Sequence, residues 1–209
     1  MTRSDLGAFY QKRKTDFETS LGHARKKINL VSNLRILVAL SLVTAIYFSF
    51  SNVTTALLVV PLLVFFIFLV VKHNSLFEQK VHLEDLVKIN HLELRALEGN
   101  ISGFSPGAEF IDVHHPYTHD LDIFGDGSIF QAINRSNTIN GKLLMARRLS
   151  YPLTSQHDIA LHQEAIRELA LRGDFRQHFQ AAGMEIGEQP YDREQLLAWL
   201  RLPSFVYGS

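Results

Sequence analysis

The chain has no cysteine, one tryptophan and six prolines in 209 residues. Without cysteine there is no disulfide framework and no thiolate metal site, which fits a reducing compartment. It also lacks net charge, with 21 Lys+Arg against 21 Asp+Glu. A generic polyanion binder would show a basic excess. No GxxxxGK[ST] stretch is present, so nothing in the chain cradles the phosphates of ATP. No serine nucleophile sits in a recognisable motif. The sequence therefore offers no catalytic residue, no cofactor-binding residue and no metal ligand set.

The zero charge conceals an uneven distribution. Residues 1–35 carry eight basic and three acidic side chains, and residues 36–71 carry none of either. Residues 72–100 carry four basic and five acidic side chains, and 101–209 carry nine and thirteen. The expected organisation follows these shifts: a basic amphipathic helix over 1–35, a transmembrane helical hairpin over 36–71, an amphipathic stalk over 72–100, and a soluble helical domain over 101–209.

The uncharged run Ile36–Val71 would be about 54 Å long as one helix, against a hydrocarbon core of about 30 Å. It must break, and Ser49-Phe50-Ser51-Asn52 is the turn-prone point. Two spans result, roughly Leu30–Phe50 and Thr54–Lys72, with Arg35 snorkelling at the first entry and Pro61 inside the second. A buried hairpin in a soluble core would have to hide more apolar surface than a domain of this size holds. A cleaved signal peptide would need a short charged lead and a small-residue cleavage site, and neither is present. Lys12, Arg13, Lys14, Arg25, Lys26, Lys27 and Arg35 crowd the entry and Lys72 marks the exit, while the connecting loop has no basic residue. The positive-inside rule then predicts a two-span membrane protein with both termini cytoplasmic. Nucleic acid is the competing partner for the basic lead. Its position beside a span favours topology and anionic lipid instead.

On the flanks, Leu6, Tyr10, Phe17, Leu21, Ala24, Ile28 and Val31 recur at helical spacing, as do Leu76, Leu83, Val87, Leu94 and Leu97. The second stripe ends at Gly99-Asn100, a C-cap signal. The two flanks leave the membrane antiparallel, free to pair as a short stalk, with another copy, or on the soluble domain.

In the soluble part, Ile101–Ala108 reads as a linker and 109–128 as irregular structure with one short strand. Helices are then expected over Ser128–Arg135, from Asn137 or Thr138 to Leu149 with Leu143, Leu144 and Leu149 inward, and from Ser155 to Gly173. Two more follow, Asp174–Ala182 stopping at Gly183, and one capped by Asp192 and Gln195 that ends before Pro203. The fold class is all-α. His114, His115, His119, Asp120, Asp122 and Asp126 form the densest polar cluster. Imidazole and carboxylate side chains bind divalent metals, but this spacing fits no helical ligand motif and reads as a structural turn. Gly125-x-Gly127 lacks the third glycine of a dinucleotide loop, and Arg147-Arg148 reads as a solvated face.

One stretch is more specific. Residues 115–176 read HPYTHDLDIFGDGSIFQAINRSNTINGKLLMARRLSYPLTSQHDIALHQEAIRELALRGDFR. They contain a small residue before two hydrophobics (Gly127-Ser128-Ile129-Phe130) and a helix opening in Thr-x-x-Gly (Thr138 to Gly141). A leucine-rich helix runs into a proline (Leu143 to Pro152), and Ile159 precedes His162-Gln163-Glu164-Ala165-Ile166-Arg167-Glu168-Leu169. From about residue 110 onward this resembles the start of the core, or lever, domain of the MutS family of DNA mismatch repair ATPases. DLDIFGDGSIF looks most like the membrane-anchored branch, which carries a hydrophobic hairpin in place of the mismatch-reading domain.

The resemblance implies an all-α chain: a two-span hairpin with long flanking helices, then the first part of a helical lever, the chain being a piece of a longer protein. It implies ATP and Mg bound by a C-terminal domain outside residues 1–209. It also implies DNA contacts through regions beyond residue 209 and a homodimer in the full-length form. The mismatch-reading domain with its aromatic wedge is missing ahead of the core. Competing expectations are a non-enzymatic, membrane-anchored helical adaptor recruiting a protein partner, and a metal-dependent hydrolase using the His/Asp cluster.

Overall fold

The computed structural model describes residues 2–49, 53–187 and 192–201. Among them every regular element is helical: α1 (Arg3–Ser49), α2 (Val53–Leu97), a 3-10 turn (Ala108–Phe110), α3 (Ile129–Ile133), α4 (Ile139–Ser150), α5 (Gln156–Ala170), α6 (Gly173–Ile186) and α7 (Asp192–Leu200). The chain divides into two compact units, residues 1–94 and 95–209.

The first unit is a hairpin of two long helices. The Thr2 backbone N–H donates to Asp5 Oδ2 at 2.7 Å, and the Asp5 N–H donates to Thr2 Oγ1 at 3.2 Å. This reciprocal cap satisfies donors that a helix start leaves orphaned, and the two bonds from Thr2 hold the Asp5 carboxyl below its usual range. α1 ends at Ser49, where the turn was expected; residues 50–52 of that turn lie outside the described residues. α2 continues through Pro61.

Antiparallel pairing follows from Arg25 Nη2, which meets Glu84 Oε1 at 2.8 Å across 59 residues, and from a groove that Val31 of α1 shares with Leu76 of α2. The less exposed positions on α1 include Phe17, Leu21, Ala24, Ile28, Val31, Arg35, Val38, Leu42 and Ala45. On α2 they include Val59, Leu62, Phe66, Leu69, His73, Leu76, Lys80, Leu83, Val87 and Asn90. Both sets alternate by three and four. That is the 3.5-residue repeat of a left-handed helix pair, and it runs unbroken from the uncharged segment into the flanks.

The second unit is built on Phe110, Phe124 and Phe130, whose ring centroids lie 5.5–5.8 Å apart. Ile123 and Ala146 are buried with them, and Met145 and Leu149 pack alongside. Gly107, at φ +70°, opens the 3-10 turn. A Cβ there would lie 2.5 Å from Phe130 Cδ1, so only glycine admits the ring. The short strand expected in 109–128 is not formed; this 3-10 turn and a series of tight turns take its place. The helix caps are as expected: Ser128 accepts from the Gln131 N–H, Thr138 from Gly141, and Ser155 from Asp158.

Three expectations need correction. Leu143 and Leu144 are 52% and 56% exposed. The inward face of α4 is Met145, Ala146 and Leu149, because one helical stripe cannot also hold two residues a half-turn away. Gly183 does not stop α6, which runs to Ile186 and ends at Gly187 in the left-handed conformation. Gly183 instead packs near Asn137 and Thr138, where a small residue allows close approach. The helix from Ser155 ends at Ala170 rather than Gly173, which begins α6. α7 spans Asp192–Leu200 as expected; the Asp192 side chain lies outside the described residues, and Gln195 is exposed.

Candidate functional site

The polar cluster surrounds a histidine-centred turn in the second unit. His115 Nδ1 accepts from the backbone N–H groups of Tyr117 and Thr118 at 3.4 and 3.3 Å. Its ring packs edge-on against Tyr117 and Tyr151. The imidazole therefore organises a turn. His114, His119, Asp120, Asp122 and Asp126 are exposed. Asp112, His119 and Asp122 line a small pocket of about 100 Å³ with Thr118. Among the described residues no three His, Asp or Glu side chains group as a metal site. Gly125 and Gly127 have positive φ and serve as turns, and Arg147 and Arg148 are exposed on α4.

Two polar side chains that sequence reading passed over hold this unit together. Gln131, almost fully buried, accepts from the Gly127 N–H at 2.7 Å and donates to the Phe104 carbonyl at 3.0 Å. The Tyr117 hydroxyl lies 2.7 Å from the Leu149 carbonyl and 2.6 Å from that of Ser150, closing the C-terminal end of α4. Arg135 stacks 3.7 Å over the Phe104 ring. A buried glutamine and a tyrosine reaching a helix end carry no local sequence signature, since both partners are backbone groups distant in sequence.

The motif residues Gly127–Phe130 and Thr138–Gly141 prove to be packing and capping elements. Phe130 is fully buried. A Cβ at Gly141 would lie 2.9 Å from Thr138 Oγ1 and 3.1 Å from Ser136 Cβ, so the glycine lets the capping hydroxyl close over the helix start. Asn137 Nδ2 donates to the Gln180 carbonyl, tying the start of α4 to α6. Beyond this nucleus the helices expose apolar side chains. Leu143, Leu144, Ile166, Phe175 and Phe179 are all more than half exposed, and α5 has no buried residue.

The most distinctive surface is the hairpin. Two helices are long and apolar enough to cross a membrane, with mean hydropathy 1.8 and 2.6 over their most apolar windows. Only 6% of each window is buried inside the protein, unlike a soluble core helix. Val38 and Leu69 turn inward, while Leu40, Val43, Val60, Val64 and Phe68 face out. Each large apolar side chain held in water instead of an apolar medium costs about 1.5–3 kcal/mol. Exposed apolar surface of this extent marks a membrane or protein interaction site.

Basic residues collar this band. Lys26, Lys27 and Lys72 line one groove between α1 and α2, whose apolar wall is Leu30, Val31 and Leu76. One step further out, Glu84 pairs with Arg25 and, at 3.4 Å, with Lys80. The hydrogen bond from Arg25 is the main reason that the Glu84 carboxyl sits below its usual range. Comparison with protein families, curated proteins and solved structures finds no match to this chain.

Proposed function

We propose that this chain is the N-terminal membrane anchor and lever segment of a MutS-like, DNA-binding ATPase. It would couple ATP-driven conformational change in a C-terminal domain outside residues 1–209. The observation that carries the reading is an exposed apolar helical hairpin that precedes the Gly127–Pro152 motif in the chain. The geometry of that motif supports a mechanical role. Gly107, Gly141 and Gln131 knit the short helices around Phe130 through close packing and buried hydrogen bonds.

In this reading the hairpin crosses twice and both termini are cytoplasmic, because the basic residues lie at Arg35 and below and at Lys72 and beyond. The bilayer is the first partner. DNA, ATP and Mg belong to regions outside this chain, whose own residues offer no phosphate cradle, and the full-length protein is a homodimer.

Two measurements test the proposal. The protein encoded by the uninterrupted reading frame, purified from membranes, should hydrolyse ATP and retain duplex DNA; an absence of both removes the ATPase reading. Because the chain lacks cysteine, single cysteines report topology cleanly. Thr2→Cys and Ser155→Cys should resist a membrane-impermeant maleimide in intact cells, while Asn52→Cys should react.

A second reading is favoured by one observation, the exposed apolar face of α4–α6. As a non-enzymatic adaptor, the chain would dock a protein partner there. Leu144→Asp with Phe179→Asp would then abolish partner capture, and the full-length protein would hydrolyse no ATP with or without them.

A further inference from the structure

We infer that the groove formed by Lys26, Lys27 and Lys72 is a binding site for the phosphate of an anionic phospholipid. The inference rests on the membrane-anchor reading and adds to it a specific lipid class and a place. Three lysines from two helices line one groove, and no carboxylate lines it. Among the described residues none of the three lysines is in an ion pair. The nearby acid Glu84 is taken up by Arg25 and Lys80. The cationic face is therefore uncompensated.

The groove is also amphipathic in the sense a phospholipid requires. Its wall of Leu30, Val31 and Leu76 is continuous with the exposed apolar band that begins at Leu30, itself 67% exposed. Lys26 and Lys27 lie three to four residues before Leu30 in α1, an axial step of about 5–6 Å. That step matches the passage from acyl carbons to headgroup phosphate, given roughly 5–8 Å of interfacial region on each side of the hydrocarbon. An acyl chain lies along the leucine wall while its phosphate meets the lysines. Free inorganic phosphate would use only the polar half of this groove.

The test uses the full chain in vesicles of phosphatidylcholine mixed with phosphatidylglycerol. The readout is phosphatidylglycerol retained per chain by native mass spectrometry. Lys26→Gln, Lys27→Gln and Lys72→Gln together should lower retention by roughly a hundredfold, the loss expected when three surface-proximal cations are removed. The matching Lys→Arg triple should restore it. A control with the same charge change elsewhere, Arg3→Gln, Lys12→Gln and Lys88→Gln, should keep near-normal retention. Equal losses in the groove and control variants would overturn the site in favour of a diffuse field. Unchanged retention in the groove triple would overturn it as well, and so would loss of binding to a duplex oligonucleotide with lipid retention intact, which would reassign the lysines to nucleic acid. Extraction of the chain from vesicles by alkaline carbonate would instead defeat the anchor reading itself, an outcome separable from all of these.

Discussion

Replacing Gly107 by alanine probes the packing of the second unit most sharply. Two penalties combine at this residue. The backbone sits at φ +70°, where a side chain costs about 1–2 kcal/mol. The new Cβ would also lie 2.5 Å from Phe130 Cδ1 and 2.7 Å from Cε1. Phe130 is fully buried against Phe110 and Phe124, so the ring cannot swing into solvent, and overpacking of this kind costs about 1–3 kcal/mol. The expected total is about 2–5 kcal/mol.

Gly127 supplies the internal comparison. It has a similar φ of +75° but no atom within 4 Å of an added Cβ, so Gly127→Ala should cost only the backbone share, about 1–2 kcal/mol. Hydrogen exchange of the amides in 123–134, measured on the full chain in detergent micelles, reads both. Gly107→Ala should lose at least about fivefold more protection than Gly127→Ala, since the packing share of about 1–3 kcal/mol adds to the same backbone share and 1.4 kcal/mol is tenfold in an opening constant. Equal losses would show that the Phe130 ring has room to move and would refute the close-packed aromatic nucleus.

Other consequences are as direct. Gln131→Ala strands the buried Phe104 carbonyl and frees the Gly127 N–H, so protection of 123–134 should fall by about 1–3 kcal/mol equivalent. Tyr117→Phe removes the hydroxyl that closes α4 and should cost about 1 kcal/mol by denaturant titration of the full chain, with fraying confined to the end of α4. Glu84 has a folded pKa below its unfolded one because Arg25 donates to it. Its stabilising share is therefore present above the unfolded value and is lost as pH falls through the folded one. Glu84→Gln should lower hairpin stability at neutral pH by less than about 1 kcal/mol, as for a partly exposed pair. The difference from wild type should vanish in acid, as read by thermal melts across pH in micelles.

Much of the architecture was legible locally. Polar caps at Ser128, Thr138 and Ser155 mark helix starts because their hydroxyls need only a backbone N–H three residues on. The uncharged run and its break at Ser49 follow from the length of a helix against the thickness of a bilayer. The inward face of α4 was misread because Leu143 and Leu144 are as apolar as any core residue. Burial depends on what lies opposite, and the aromatic nucleus lies against Met145, Ala146 and Leu149. Gly183 was misread as a stop because glycine ends a helix only where the chain must turn left-handed, and here that position is Gly187.

What the sequence determined by itself is the division of the chain. Thirty-six residues without a charge, set between basic neighbours, run through two helices long and apolar enough to cross a membrane. What only the tertiary structure decided is which groups meet. Arg25 finds Glu84 across 59 residues, Gln131 finds the Phe104 carbonyl, Gly107 makes way for Phe130, and three lysines from two helices share one groove. Local preference reaches about one helical turn, and these contacts join segments that only the folded chain brings within hydrogen-bonding or van der Waals range.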